Sequence, residues 1–368
     1  MPYWGVYLDY LGFTGKEIGQ LMAIFLGTKM VAPNIWAWVA DWLVARHGSA
    51  MGMVKVATFL TVLVYLLLYV FDDFWPVALI MLGYCVFWNA TLPQLEAATL
   101  NHIDNKNQYG KIRLWGSLGF IATVTLVGVV MDSIGPKAIL SAGAISLALL
   151  FFASLLMPSS QRSVDRVSQA DSRKGIGAAL NHKIILLLFL CFLMQLSHAP
   201  LQTFMSLYFE EYGYTNWQIG LLWTTGVVCE IVVFIFAYKL LARFSLSSML
   251  TFTFGVAAAR WLLVGAFPEK TSIVILTQAS HAITFGLYHA VMMQVVNRFF
   301  VGSYQNRGQA LYSSVTFGLG GAVGSFLSGY IWSDVGKQEL FILVGLLMLL
   351  VSGLSALFTR YLVGEDSQ

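Results

Sequence analysis

Eight ionisable side chains lie within or at the edges of long apolar runs: Lys29, Glu96, Arg113, Glu230, Arg260 and His281, with His198 and His289 as weaker candidates. A charge in the hydrocarbon of a bilayer is expensive unless paired, so groups kept there face the bundle interior and mark a substrate or proton path. Glu96 ends Pro93-Gln94-Leu95-Glu96, and Arg113 lies in Tyr109-Gly110-Lys111-Ile112-Arg113-Leu114-Trp115-Gly116-Ser117. The short hairpin between them brings both to similar depth. A guanidinium beside a carboxylate can fork onto a substrate carboxylate, or the pair can share a substrate's hydroxyls. Glu230 has no basic residue near it in its own run, so Arg260 in the next run is its expected cation. His281 can relay a proton. For each residue the competing reading is structural: an ion pair or a satisfied buried imidazole that ties helices together.

These groups need helices to carry them. Hydrophobic residues make up 58% of the 368-residue chain and charged residues 11%, against about 25% charged in a soluble domain. This is the composition of an all-α membrane protein. Apolar runs long enough to cross the bilayer as helix recur at about 1–11, 17–39, 51–71, 75–98, 111–131, 137–157, 183–209, 217–241, 247–267, 272–298, 308–331 and 338–361. They are too unbroken for barrel strands, which alternate. Net charge of +3 and the lack of a basic stripe argue against nucleic acid. Cys85, Cys191 and Cys229 lie inside apolar runs as buried thiols, and no metal spacing, nucleophile elbow or cofactor motif occurs. An enzyme is therefore not expected.

The serine- and arginine-containing stretch 158–182 divides the chain into six-helix halves, 1–157 and 183–368. Arg46, Lys111, Arg113, Arg162, Arg173, Arg243 and Arg307 fall on one set of joins, and only Lys16, Lys137, Lys270 and Lys337 on the other. By the positive-inside rule the linker and, in a complete protein, both termini are cytoplasmic. Asp9, Glu17, Glu210, Glu211 and Asp334 near the outer joins are expected to be merely solvated. The halves repeat: Tyr10-Leu11-Gly12-Phe13-Thr14-Gly15-Lys16-Glu17-Ile18-Gly19 corresponds to Glu211-Tyr212-Gly213-Tyr214-Thr215-Asn216-Trp217-Gln218-Ile219-Gly220. Six helices separate the copies, so the repeats run parallel, with a site expected between them at the midplane. The same alignment makes helix 1 short by most of a span, and a truncation or a start assigned too late is expected.

Taken together, Tyr109 to Ser117, Gln195-Leu196-Ser197-His198-Ala199, Gly226-Val227-Val228-Cys229-Glu230-Ile231, Arg260-Trp261 and Ser280-His281 resemble the lactose permease-like, oligosaccharide:proton symporter branch of the major facilitator superfamily, most of all its 3-phenylpropionate permease type. The resemblance implies a monomeric, proton-coupled symporter in a bacterial inner membrane, working by alternating access without a cofactor. A 3-phenylpropionate-like aromatic acid is the favoured substrate, with sugars or nucleosides as alternatives and a non-transporting sensor as the alternative of another class. Substrate contacts are expected at Glu96, Arg113, Phe120, His198, Glu230 and His281, with Phe120 where that family stacks a Trp on sugar. Proton coupling is expected at Glu230, Arg260 and His281, and a gate contact at Asp41, read as lying in the join between helices 2 and 3. The chain departs from the sugar pattern at Thr284, where the family has Glu, and at Gln278, where it has Lys.

Overall fold

A computed structural model describes residues 2–102, 106–157 and 181–363. Of the expected linker, 158–180 lies outside the described residues. Twelve helical segments follow the expected order: helix 1 (Trp4–Tyr10), helix 2 (Gly15–His47), helix 3 (Met51–Leu66), helix 4 (Phe74–Trp88, then Thr91–His102), helix 5 (Lys106–Ile134) and helix 6 (Lys137–Leu156) in one half. The other half holds helix 7 (His182–Thr203, then Met205–Glu211), helix 8 (Asn216–Arg243), helix 9 (Leu246–Ala266), helix 10 (Thr271–Phe299), helix 11 (Gln305–Asp334) and helix 12 (Lys337–Val363). Among the described residues nine helices are long and apolar enough to cross a membrane. Helices 1, 2 and 10 complete the twelve.

The sequence repeat becomes a repeated local structure. Gly12 and Gly213 take positive φ, 87° and 82°, which only glycine enters without penalty. Thr14 and Thr215 then open helices 2 and 8: the amide of Thr14 donates to Glu17 Oε2 at 2.8 Å and that of Thr215 to Gln218 Oε1 at 2.9 Å. These are matching halves of a capping box.

Irregularities fall where the sequence permits them. Pro93 cannot donate to the carbonyl four residues back, and helix 4 breaks there, at Asn89 and Ala90. Helix 10 passes through a π-helical segment at Ala282–Leu287 and helix 11 through another at Ser314–Gly320. Such widened turns gather at functional sites.

The halves meet tightly at the end that bears Gly12, Gly135, Gly213 and Gly336. Helix 2 lies on helix 11 there and helix 5 on helix 8. A Cβ on Gly19 would stand 2.7 Å from the Cα of Gly329, so the backbones touch. Asp132 of helix 5 crosses to the other half and accepts from the amides of Asn216 (2.9 Å) and Trp217 (3.0 Å), capping helix 8. Lys16 pairs with Asp334 at 2.7 Å, also across halves, and Tyr3 donates its hydroxyl to the carbonyl of Asn216 at 2.8 Å. Three of the acids at this end, although exposed, are also engaged, beyond the expectation of plain solvation: Glu17 caps helix 2, Asp334 holds Lys16 and Glu211 pairs with Lys337. Toward the opposite end Trp115 is 74% exposed, and a Cβ on Gly116 or Gly119 would meet nothing within 4 Å. The contacts of Tyr3, Asp132 and Lys16 between halves gather at the end that bears Gly12 and Gly213.

Candidate functional site

The deepest polar cluster lies in the C-terminal half and joins helices 7, 9 and 10. Arg260 is 1% exposed. Its Nη1 donates to His281 Nδ1 and to Thr284 Oγ1, each at 3.0 Å, and the guanidinium lies 4.4 Å from the centroid of the Trp261 ring. His198 Nδ1 donates to the carbonyl of Met194 at 2.9 Å, because a carbonyl can only accept. His198 Nε2 is therefore an acceptor, and the Thr284 hydroxyl donates to it at 3.2 Å. Both imidazoles are neutral in this arrangement, so Arg260 is the one formal charge of the cluster. Its Nε and Nη2 are buried and, among the described residues, have no hydrogen-bond partner. A buried guanidinium held only by neutral acceptors is a costly arrangement unless an anion visits it.

Two sequence expectations change here. Arg260 is not the partner of Glu230; it binds His281 and Thr284 instead. Glu230 lies further along helix 10, its Cγ so close to Gly286 that a Cβ there would stand 3.0 Å away. The charge that reaches it is that of Arg113, from the opposite half. The difference is one of level along helix 10: Gly226 of helix 8 stands against His281, whereas Glu230, four residues further on, stands against Gly286. His198, expected to touch substrate, is 2% exposed, bonded to Thr284 and edge-on to Trp261 at 5.2 Å.

Glu96 and Arg113 do meet, at 3.2 Å, with side chains 40% and 69% exposed. Phe120 is partly buried and packs on the main core. Asp41 lies within helix 2, not in the join after it, because that helix runs on to His47 before Gly48 ends it with φ 74°. The hairpin joining helices 4 and 5 includes 103–105, which lie outside the described residues.

Sequence reasoning undervalued three features. Thr284, noted only as a departure, is the hub of the cluster. His281, Phe285 and His289 form a stacked ladder along helix 10, centroids 5.1 and 6.5 Å apart at 11° and 12°. Phe317 of helix 11 closes it, 6.1 Å from Phe285 and 6.0 Å from His289. The i, i+4, i+8 spacing of those rings was visible, whereas the π-helical turn was not.

A buried polar cluster within the second of two six-helix halves is now joined by a match to known proteins: the MFS_1 like family matches residues 1–343. The chain belongs to the MFS_1 like family. Relatives of this MFS_1 like protein include a probable 3-phenylpropionic acid transporter of Escherichia coli (strain K12), 27% identical over 344 residues that cover 91% of this chain and 87% of the relative. The maltose permease of Geobacillus stearothermophilus is 28% identical over 359 residues, 95% of this chain and 89% of that one. Among solved structures, a mutant of the nucleoside transporter NupG superposes with a TM-score of 0.84 at 15% identity, covering 96% and 94% of the two chains. A POT family transporter in complex with 5-aminolevulinic acid gives a TM-score of 0.71 at 11% identity, covering 98% and 91%. At those identities the structural likeness speaks for the fold alone. The MFS_1 like chain is a multi-pass membrane protein and a major facilitator superfamily transporter rather than an enzyme.

Proposed function

We propose that this transporter carries a small organic acid, favouring a 3-phenylpropionate-like aromatic acid, by proton-coupled symport and alternating access. The observation that carries the reading is Arg260, a buried guanidinium with two nitrogens unbonded among the described residues and only neutral neighbours. A carboxylate is the group that answers it, and the ring ladder of His281, Phe285, His289 and Phe317 suits an aromatic body. His281 is the replaceable partner, and the π-helical turn beside it supplies the slack for the carboxylate to take its place. A relative named for 3-phenylpropionic acid supports the same substrate class.

Glu230 is the proton-carrying group in this reading: a carboxyl inside the bundle, reached across the cavity by the charge of Arg113. Glu96 and Arg113 serve the N-terminal side of the site, with Phe120 behind them and Asp41 at the gate. In this reading the Lys/Arg bias makes the linker and, in the complete protein, both termini cytoplasmic, and the carrier works as a monomer in a bacterial inner membrane. The end that bears Gly12 and Gly213 is then extracytoplasmic, and the conformation faces inward.

The test is uptake into proteoliposomes. Glu230→Gln should abolish uphill accumulation of 3-phenylpropionate under an imposed proton gradient while sparing counterflow. A mutant that still concentrates the acid removes Glu230 from the proton role. A second reading, sugar transport, rests on the Glu96–Arg113 pair and the maltose permease relative. Maltose counterflow with no response to the acid would favour it.

A further inference from the structure

Lys29 stands in the middle of helix 2 and has no part in the function derived so far. Among the described residues it has no carboxylate and no hydrogen-bond partner; the nearest favourable contact is the Phe25 ring, 5.1 Å from Nζ to centroid. A lysine in a membrane helix that points at lipid can extend toward the interface, but this one points inward. Leu26 and Met30 pack on helix 11, against Gly321 and Gly318. Thr28 faces helix 4, where Asn89 Nδ2 donates to its hydroxyl at 3.2 Å, and Trp36 donates Nε1 to the Val86 carbonyl at 2.7 Å. Lys29 lies between these two faces, close enough to the buried Cys85 of helix 4 for the two groups to interact electrostatically.

Helix 11 fixes its depth. Gly318 packs on Met30, the residue after Lys29, and Phe317 packs on Phe285. Phe285 stacks on His281, which accepts from Arg260. Lys29 and Arg260 therefore lie at about the same level in opposite halves, with the ring ladder between them. Among the described residues, each is a cation without an anion.

We propose that Lys29 is the N-terminal half's anchor for the anionic group of the substrate, so that the acid is held by a cation from each half. This rests on the organic-acid reading. It also gives that half a role the Glu96–Arg113 pair does not fill, since Arg113 already has a carboxylate beside it. Two cations that repel across an empty cavity and share an anion when it is loaded give the substrate differential affinity for the closed arrangement, as alternating access requires.

The test uses the full chain in detergent and measures binding of 3-phenylpropionate, hexanoate and succinate against the neutral amide 3-phenylpropanamide. Lys29→Gln should weaken binding of the acid at least tenfold and leave the amide within twofold, and Lys29→Arg should restore the acid to within threefold of wild type. Gel filtration of both variants reports folding. Equal acid binding by wild type and Lys29→Gln, or a parallel loss of acid and amide, overturns the assignment. Wild-type protein that binds hexanoate or succinate but not 3-phenylpropionate overturns the aromatic substrate alone, and Lys29 is then read with the acid that binds. Wild-type protein that binds none of the acids overturns both.

Discussion

Two guanidiniums, one in each half, are in opposite situations. Arg113, in the N-terminal half, is 69% exposed and stands beside Glu96; Arg260, in the C-terminal half, is 1% exposed and touches only neutral acceptors. A charge with a carboxylate beside it needs no further ligand, and an exposed pair is worth about 0–1 kcal/mol. A buried charge without a counter-ion destabilises the fold until an anion arrives. The halves thus differ in what they ask of the substrate: one is satisfied without it, the other is not.

That contrast can be broken experimentally. The largest effect is expected from Arg260→Gln, which should lower acid uptake about 100-fold or more, as loss of a buried charge partner does at other recognition sites. The same variant without ligand should be at least as thermostable as wild type, because the unneutralised charge is gone. A large fall in its ligand-free Tm would mean that Arg260 is a structural keystone instead. Next, Gly286→Val should impair transport strongly, since the new side chain meets Glu230 Cγ at a Cβ distance of 3.0 Å and must displace the carboxyl. Uphill accumulation equal to wild type would show that Glu230 can move aside.

A smaller effect is expected at the end that bears Gly12 and Gly213. Asp132→Ala removes the cap on helix 8 that crosses the halves, about 0.5–2 kcal/mol. It should shift the population toward the opposite opening by a few-fold, read as faster labelling of a cysteine placed at that end. Unchanged labelling would show that the helix 2 to helix 11 packing suffices. Least of all, a double-mutant cycle on Glu96→Gln and Arg113→Gln should give a coupling to stability within about 1 kcal/mol. A coupling well above that would erase the contrast between the two guanidiniums.

Much of the frame was legible in the residues. The Gly12 and Gly213 copies, with Thr14 and Thr215 after them, encode the same turn and cap because those residues satisfy local backbone groups whatever surrounds them. Run length and hydropathy set the helices, and the observed bounds follow the expected ones closely except at the end of helix 2 and the start of helix 5. The site was only half legible. Glu96 and Arg113 are linked by a short hairpin, so sequence distance was a guide to spatial distance. Glu230 and Arg260 lie on successive helices, where sequence says nothing about the level at which each meets helix 10.

By itself, then, the sequence determined an all-helical membrane chain in two parallel halves, with charges kept inside at Lys29, Glu96, Arg113, Glu230 and Arg260. Local capping, helix length and the cost of intramembrane charge suffice for that. Only the tertiary structure decided which charges meet. It gave Arg260 to Thr284 and His281, turned Glu230 toward Gly286 and the charge of Arg113, and bonded the buried His198 to Thr284. Those choices depend on helix register and on the π-helical turn of helix 10, which arise from packing between helices distant in the chain.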